Sequence, residues 1–258
     1  YYKEKKLSFT KIEDVYKRSL QAAKKGRVLT FHWRGGYLTK EVLKELLEEG
    51  KIGRLMTIQH MEEVGYWHQA HSFVRGNWRN AEESSPMILQ KCCHDMDIML
   101  WLADSKCKKI SSFGELTYFT EENAPTGAPK YCMDGCEHRD QCPFYAPRFY
   151  LEHPKAVEDG LVYAVTDQAD SVHVLEALKK GPYGRCVFHS DNTVVDHQTV
   201  DIEFENQVTA SFLMTAFTNQ CARRIRIMGT KGELKGDMEA GTIEIIDFVS
   251  GTNDLIQL

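Results

Sequence analysis

The sequence predicts an α+β fold, an open and mainly antiparallel sheet packed against helices, and three observations carry that prediction. Apolar residues recur at helical spacing in several segments before residue 181, whereas beyond residue 199 they alternate with polar ones at a period of two. Turns built on polar residues and glycine separate the alternating runs. The chain has 258 residues, 42% of them hydrophobic and 27% charged. That is enough for one large domain or two small ones with a core, and disorder is not its main state.

Taken in order, Thr10 and Glu13 have capping-box spacing, and Ile12, Val15, Tyr16 and Leu20 follow at helical intervals until Gly26. Residues 28–31 form a short apolar strand ended by Gly35 and Gly36. Leu38, Val42, Leu43, Leu46 and Leu47 line one face of a second helix, which closes at Gly50. Residues 54–64 read as a strand, with Met56 and Ile58 on one side and Thr57 and Gln59 on the other.

Residues 65–85 are aromatic and polar without a period. Ser85 and Pro86 then provide an N-cap and first-turn pair for a helix reaching Ala103. Because that helix is apolar nearly all round, it is expected to lie buried between layers. Residues 110–119 form a further strand. Residues 121–147 hold four of the seven prolines and three of the eight cysteines, as in a long excursion with its own cross-links or packing.

Residues 166–180 form a capped amphipathic helix with Val172, Leu175 and Leu178 on its face, stopped by Gly181 and Pro182. Val200, Ile202 and Phe204 then turn at Glu205 and Asn206 into Val208, Ala210, Phe212 and Met214. Ile225 and Ile227, the turn at 229–232, Leu234, Ile243, Ile245 and Phe248 continue the meander.

Lysine and arginine total 32 against 37 aspartates and glutamates, a formal charge of -5, and no basic block gathers on any segment. A nucleic-acid or anionic-membrane partner is therefore not expected. No run approaches the roughly 18 apolar residues of a membrane span, and no apolar signal core follows the charged start. The expectation is a cytoplasmic protein whose eight cysteines are reduced.

Gln90, His94 and Asp97 follow at intervals of four and three and share one helix face, with Lys91 beside them. A histidine here is either a satisfied core residue or, beside a carboxylate, a proton carrier. Upstream, Tyr66, Trp67, His68, His71, Arg75, Trp78 and Arg79 crowd fourteen positions with ring faces and hydrogen-bond donors. Such a set suits a polyhydroxylated ligand, or equally an interface or a loop packed by tryptophans. Cys132, Cys136 and Cys142 lie close enough along the chain to chelate zinc, with unligated or oxidised thiols as the alternative.

Glu4-Lys5, GRVLTF at 26–31, LKELLEEGKIG at 43–53, RGNWR at 75–79, CHDMDIMLWL at 93–102 and RIMGTKGE at 226–233 occur in an order and spacing that resemble the Gfo/Idh/MocA oxidoreductases. The resemblance runs over almost the whole chain. It implies an N-terminal Rossmann domain followed by an α+β domain whose sheet supplies the substrate site and an oligomer contact. The activity implied is hydride transfer between NAD or NADP and a hydroxyl carbon of a sugar or cyclitol.

On that resemblance, residues 1–35 are a short remnant of the nucleotide-binding domain and residues 36–258 are the substrate domain. Glu4 and Lys5 fall on the cofactor-side motif, with Lys5 as the cation beside the reacting oxygen. His94 falls on the histidine that takes or returns the hydroxyl proton. Lys6 stands where the family motif has proline, and Gln90 where it has an acid, with Lys91 or Asp97 as candidates to replace that acid. No G-x-G-x-x-G follows a strand, so this stretch of chain is expected to bind NAD(P) poorly or not at all. The alternative is a non-catalytic carbohydrate-binding or regulatory module that keeps the pocket and has lost the cofactor site.

Overall fold

The computed structural model describes residues 36–258. The helix expected at 10–26, the strand at 28–31, and Glu4 and Lys5 lie outside the described residues.

Among the described residues, eight strands form one open sheet in the order β2-β3-β4-β1-β5-β6-β7-β8. They are β1 (Leu55–Glu63), β2 (Cys107–Glu115), β3 (His197–Phe204), β4 (Thr209–Thr215), β5 (Ala222–Gly229), β6 (Gly232–Asp237), β7 (Thr242–Asp247) and β8 (Asn253–Gln257). β1 runs parallel to β4, and every other pairing is antiparallel. The α+β reading and the meander therefore stand. Period-two spacing did not show that β1, far upstream, enters the middle of the sheet, nor did it reveal β8, whose five residues carry two adjacent apolar side chains.

Helix α1 (Gly36–Glu48) and helix α2 (Cys93–Ala103) lie on one face of the sheet. Leu43 and Leu46 from α1 and Ile98, Met99 and Leu102 from α2 pack onto Ile58, Ile202, Phe204, Phe212, Ile225, Ile227 and Leu234. Each fully buried side chain of this size stabilises the fold by about 1.5–3 kcal/mol relative to exposure. A second lobe collects the π-helix Gln69–Arg75, helix α3 (Ala146–Glu152), helix α4 (Pro154–Glu158) and helix α5 (Ser171–Lys180) around Phe149, Tyr150, Val174 and Leu178.

Three local expectations are corrected, in the helix before Ala103, on β1 and on α5, and at the excursion the packing alternative holds. The helix from Ser85 to Ala103 is broken: a turn at Met87–Gln90 ends, Lys91 and Cys92 both donate to the Met87 carbonyl, and α2 starts afresh at Cys93. It is not buried all round either, since Leu89, Leu100, Trp101, His94 and Asp97 reach solvent. On β1, Met56 is exposed while Ile58 is buried, because a register shift between Leu55 and Thr57 rotates the strand's first residues. On α5 the buried pair is Val174 and Leu178, with Val172 outside and the Asp170 carboxylate capping Val172 and His173. In the excursion at 121–147, all three cysteines are free thiols and the segment is held by packing and hydrogen bonds.

Candidate functional site

The inward face of β1 continues past Ile58 with His60 and Glu62, two polar side chains at core positions. Both are fully buried, which demands partners. The antiparallel register puts Arg223 of β5 directly opposite Glu62, and its Nη2 lies 2.8 Å from Glu62 Oε2. From the break before α2, Lys91 reaches the other oxygen, Nζ to Oε1 3.1 Å. Asp95, on the first turn of α2 and fully buried, accepts from Arg223 Nε at 2.8 Å and lies 2.8 Å from His60 Nε2. The His60 ring in turn stacks on Phe212, its neighbour on β4.

Lys91, Glu62, Arg223, Asp95 and His60 thus form one connected chain with two carboxylates and two cations. Burial raises the Glu62 carboxyl above the usual carboxylate range, and Lys91 and Arg223 oppose that. Burial works the same way on Asp95, but the hydrogen bond from His60 and the Arg223 charge outweigh it and hold the group below its ordinary value. The two carboxylates overcome desolvation at Arg223 and raise it. Burial and the charge of Lys91 push His68 down to about 3, so its ring is neutral.

Over this network opens a cleft of about 330 Å³ lined by Lys40, Gln90, Lys91, His94, Asp97, Ile98, Arg223 and Met238. The size is that of a small-molecule site with several convergent polar groups. His94 and Asp97 are exposed on its wall. Gln90 is not a substitute acid: its amide donates to the Trp78 carbonyl at 2.8 Å and its oxygen accepts from Ser84 Oγ at 3.0 Å, tying down the loop before α2. A larger concavity, about 1000 Å³, lies on the sheet's other face, which no described helix covers, around Met61, Leu213, Arg224 and Arg226.

The aromatic segment divides. Trp67 is buried and donates its indole N–H to the Asn219 carbonyl. His71 is buried, 2.8 Å from the Tyr150 hydroxyl and stacked on Tyr183, and burial lowers it to about 4. Arg75, 1% exposed, donates to the Arg185 and Phe144 carbonyls, both at 2.7 Å. Arg79 forms a two-pronged pair with Asp191 at 2.8 and 2.9 Å. These four side chains hold the helical lobe and its loops together instead of lining the cleft. Tyr66 is half-buried against Phe144 and His153, His68 lies 3.4 Å from the Cys221 sulfur, and Trp78 is exposed.

The zinc reading of Cys132, Cys136 and Cys142 is also corrected. Among the described residues, no three histidine, cysteine or acidic side chains are grouped to hold a metal. The cation that orders this loop is the Arg75 guanidinium, 3.7 Å from the buried Cys132 sulfur, and burial pushes the Cys142 thiol up, away from the thiolate a metal needs. The turn at 229–232 offers no cradle for a pyrophosphate, because the Thr230 and Lys231 amides donate to the Arg54 and Ile52 carbonyls.

Glu62, Asp95, Arg223 and His60 were missed from the sequence. A signal existed for two of them: a strand whose inward positions read Ile58, His60, Glu62 places ionisable groups in the core.

Residues 44–249 match the model of the oxidoreductase family's C-terminal alpha/beta domain, GFO_IDH_MocA_C. YteT of Bacillus subtilis (strain 168), named "Putative oxidoreductase YteT", is 22% identical over 222 residues, covering 84% of this chain and 50% of its own. The chain thus spans about half the length of that curated relative. Among solved structures, levoglucosan dehydrogenase in complex with NADH and levoglucosan superposes with a TM-score of 0.51 at 12% identity, over 85% of this chain and 44% of that one. A super-repressor mutant of Gal80p from Saccharomyces cerevisiae gives 0.52 at 14% identity, over 95% and 50%. At these identities the structural likenesses establish the fold.

Proposed function

The chain belongs to the Gfo/Idh/MocA oxidoreductase family, of which it carries the C-terminal α/β domain, and from that premise we propose that residues 36–258 bind the substrate of an NAD(P)-dependent oxidoreductase acting on a hydroxyl of a sugar or cyclitol. Residues 1–35 are assigned to the nucleotide-binding side, with Glu4 and Lys5 toward the cofactor. The observation that carries the reading is the cleft where exposed His94 and Asp97 stand beside Lys91 over a buried, charge-balanced network. His94 is free to take the hydroxyl proton, Asp97 and Gln90 border the remaining hydroxyls, and the network fixes the floor. With the amides of the 229–232 turn already engaged, no part of the proton chemistry depends on a dinucleotide held there.

Turnover with NAD or NADP and a panel of sugars and cyclitols, measured on the chain supplied with a nucleotide-binding domain of the family, tests this. Polyol-dependent reduction that His94→Ala abolishes supports it. A chain that neither binds a polyol nor reduces either dinucleotide overturns it. A second reading, a non-catalytic carbohydrate-binding or regulatory module, is favoured by Gln90, a neutral amide committed to Trp78 and Ser84 where the family motif has an acid. Polyol binding by calorimetry, with no reduction of NAD or NADP even when a nucleotide-binding domain of the family is supplied, would select it.

The bare face of the sheet is proposed as the contact between copies of the chain. Its cross-strand row Phe113, Thr199, Leu213, Met61, Arg224 and Asp237 runs from apolar to charged, with Phe113 73% exposed. Exposed apolar side chains in a row on an uncovered face are a feature of interfaces.

A further inference from the structure

The two oxygens of the Glu62 carboxylate, sealed from water, are each met by a different cation: Lys91 Nζ at 3.1 Å and Arg223 Nη2 at 2.8 Å. The ammonium and the guanidinium are therefore spaced to fit the oxygens of one carboxylate. Both also line the cleft, with side chains 15% and 25% exposed, whereas Glu62 and Asp95 behind them are fully buried.

Hydrogen-bonding capacity is left over on these two cations. Arg223 commits Nε to Asp95, and Nη2 to Asp95 and Glu62; among the described residues Nη1, with two N–H groups, has no partner. Lys91 commits one of its three N–H groups to Glu62. Against these donors the cleft's described lining sets a single carboxylate, Asp97. A neutral hydroxyl would bring a further proton to this donor-rich floor. An oxyanion only accepts, and bonds between a charged donor and a charged acceptor are roughly twice as strong as neutral ones.

We propose that Arg223 and Lys91 together hold an acidic group of the substrate, which makes that substrate a sugar or cyclitol bearing a carboxylate or a phosphate. The inference rests on the cleft being the polyol site proposed above and names the class of polyol it takes. The acidic group is an anchor and takes no part in the redox step: a carboxylate carbon has no hydrogen to give as hydride, so the reacting carbinol is another carbon of the same molecule. Fixing one end of the ligand on two cations orients the rest of it across the cleft, whose wall carries His94. Glu62 and Asp95 act through the cations, keeping the guanidinium in one plane and the ammonium beside it.

Calorimetry on the full chain, alone and supplied with a nucleotide-binding domain of the family, tests this with matched probes: glucose, glucuronate and glucose 6-phosphate, and galactose and galacturonate. The expected result is that an acidic sugar binds about tenfold or more tightly than its neutral counterpart, and that added salt narrows the difference. A preference for the uronates assigns a carboxylate, and one for glucose 6-phosphate a phosphate; either supports the proposal. Arg223→Lys keeps a cation for Glu62 and Asp95 but has no Nη1, and it should lower the affinity for the acidic sugar about tenfold while the neutral one binds as before. Lys91→Gln should do the same, and it decides alone if Arg223→Lys does not fold. Equal binding of acidic and neutral sugars, or an acid preference that a folded variant keeps undiminished, overturns the anchoring role and leaves the polyol site standing. If no sugar binds even with the nucleotide-binding domain supplied, the polyol site itself falls and the anchor with it.

Discussion

Glu62 and Arg223 face each other across β1 and β5, joined by an ion pair of 2.8 Å, although 160 residues separate them along the chain. Strand register alone brings them together, and the same guanidinium binds Asp95 of α2. Arg223 therefore ties the sheet to the helix that carries His94.

Arg223→Met should destabilise the chain by about 3 kcal/mol, because it leaves Glu62 buried with one cation and Asp95 with His60 alone. The figure sits at the low end for a broken buried pair since Arg223 is 25% exposed. Urea unfolding measures it, and an unchanged midpoint would show that the network contributes nothing to stability.

His94→Ala should leave the melting temperature within a degree or two, since the side chain is exposed. Turnover, if His94 carries the proton, should fall about 10²–10⁴-fold. Undiminished turnover would remove His94 from the mechanism.

Acid should weaken the helical lobe. An unfolded histidine takes up a proton near pH 6.5, whereas folded His71 resists to about 4 and His68 to about 3. The unfolded state thus binds more protons in this window, and stability present above pH 6.5 is lost as the pH falls toward 4. Each group accounts for about 1.4 kcal/mol per pH unit. Urea midpoints at pH 7 and pH 5 should differ accordingly, and the difference should shrink in His71→Phe, which has nothing to titrate.

Arg75→Leu should loosen the segment at 121–147, because it deletes the donors to the Arg185 and Phe144 carbonyls. Cys132, buried in the intact chain, should then react with a thiol reagent many times faster. A chelator should leave both the melting curve and the thiol reactivity of the unaltered chain as they are. A chelator-induced loss of stability would restore the metal reading.

Leu213→Glu puts a charge in the middle of the bare sheet face, between Thr199 and Met61. If copies of the chain meet there, the variant should shift to monomer in light scattering with its circular dichroism unchanged. An unaltered assembly would place the contact elsewhere.

The elements were legible wherever one face is buried and the other wet. Ile202 and Phe204, Ala210, Phe212 and Met214, and Ile225 and Ile227 are inside as their alternation requires. The helix before Ala103 was misread because its apolar residues serve two purposes. Met99 and Leu102 fill the core, while Leu100 and Trp101 lie partly exposed, Lys44 donating to the Trp101 carbonyl and sitting over the ring with Lys40. In the aromatic segment, composition showed that rings and donors crowd together. It did not show that His71 answers Tyr150 or that Arg75 answers two backbone carbonyls, since those partners arrive from distant segments.

Local periodicity and turn chemistry, which depend on neighbours a few residues away, were enough for the sequence to determine the α+β class, the antiparallel meander and the shared face of His94 and Asp97. The tertiary structure alone decided the place of β1 between β4 and β5, and with it the meeting of Glu62, Lys91, Arg223, Asp95 and His60. The reason is that strand pairing is a long-range choice: a side chain's face follows from its own strand, but its partner follows from which strand lies alongside.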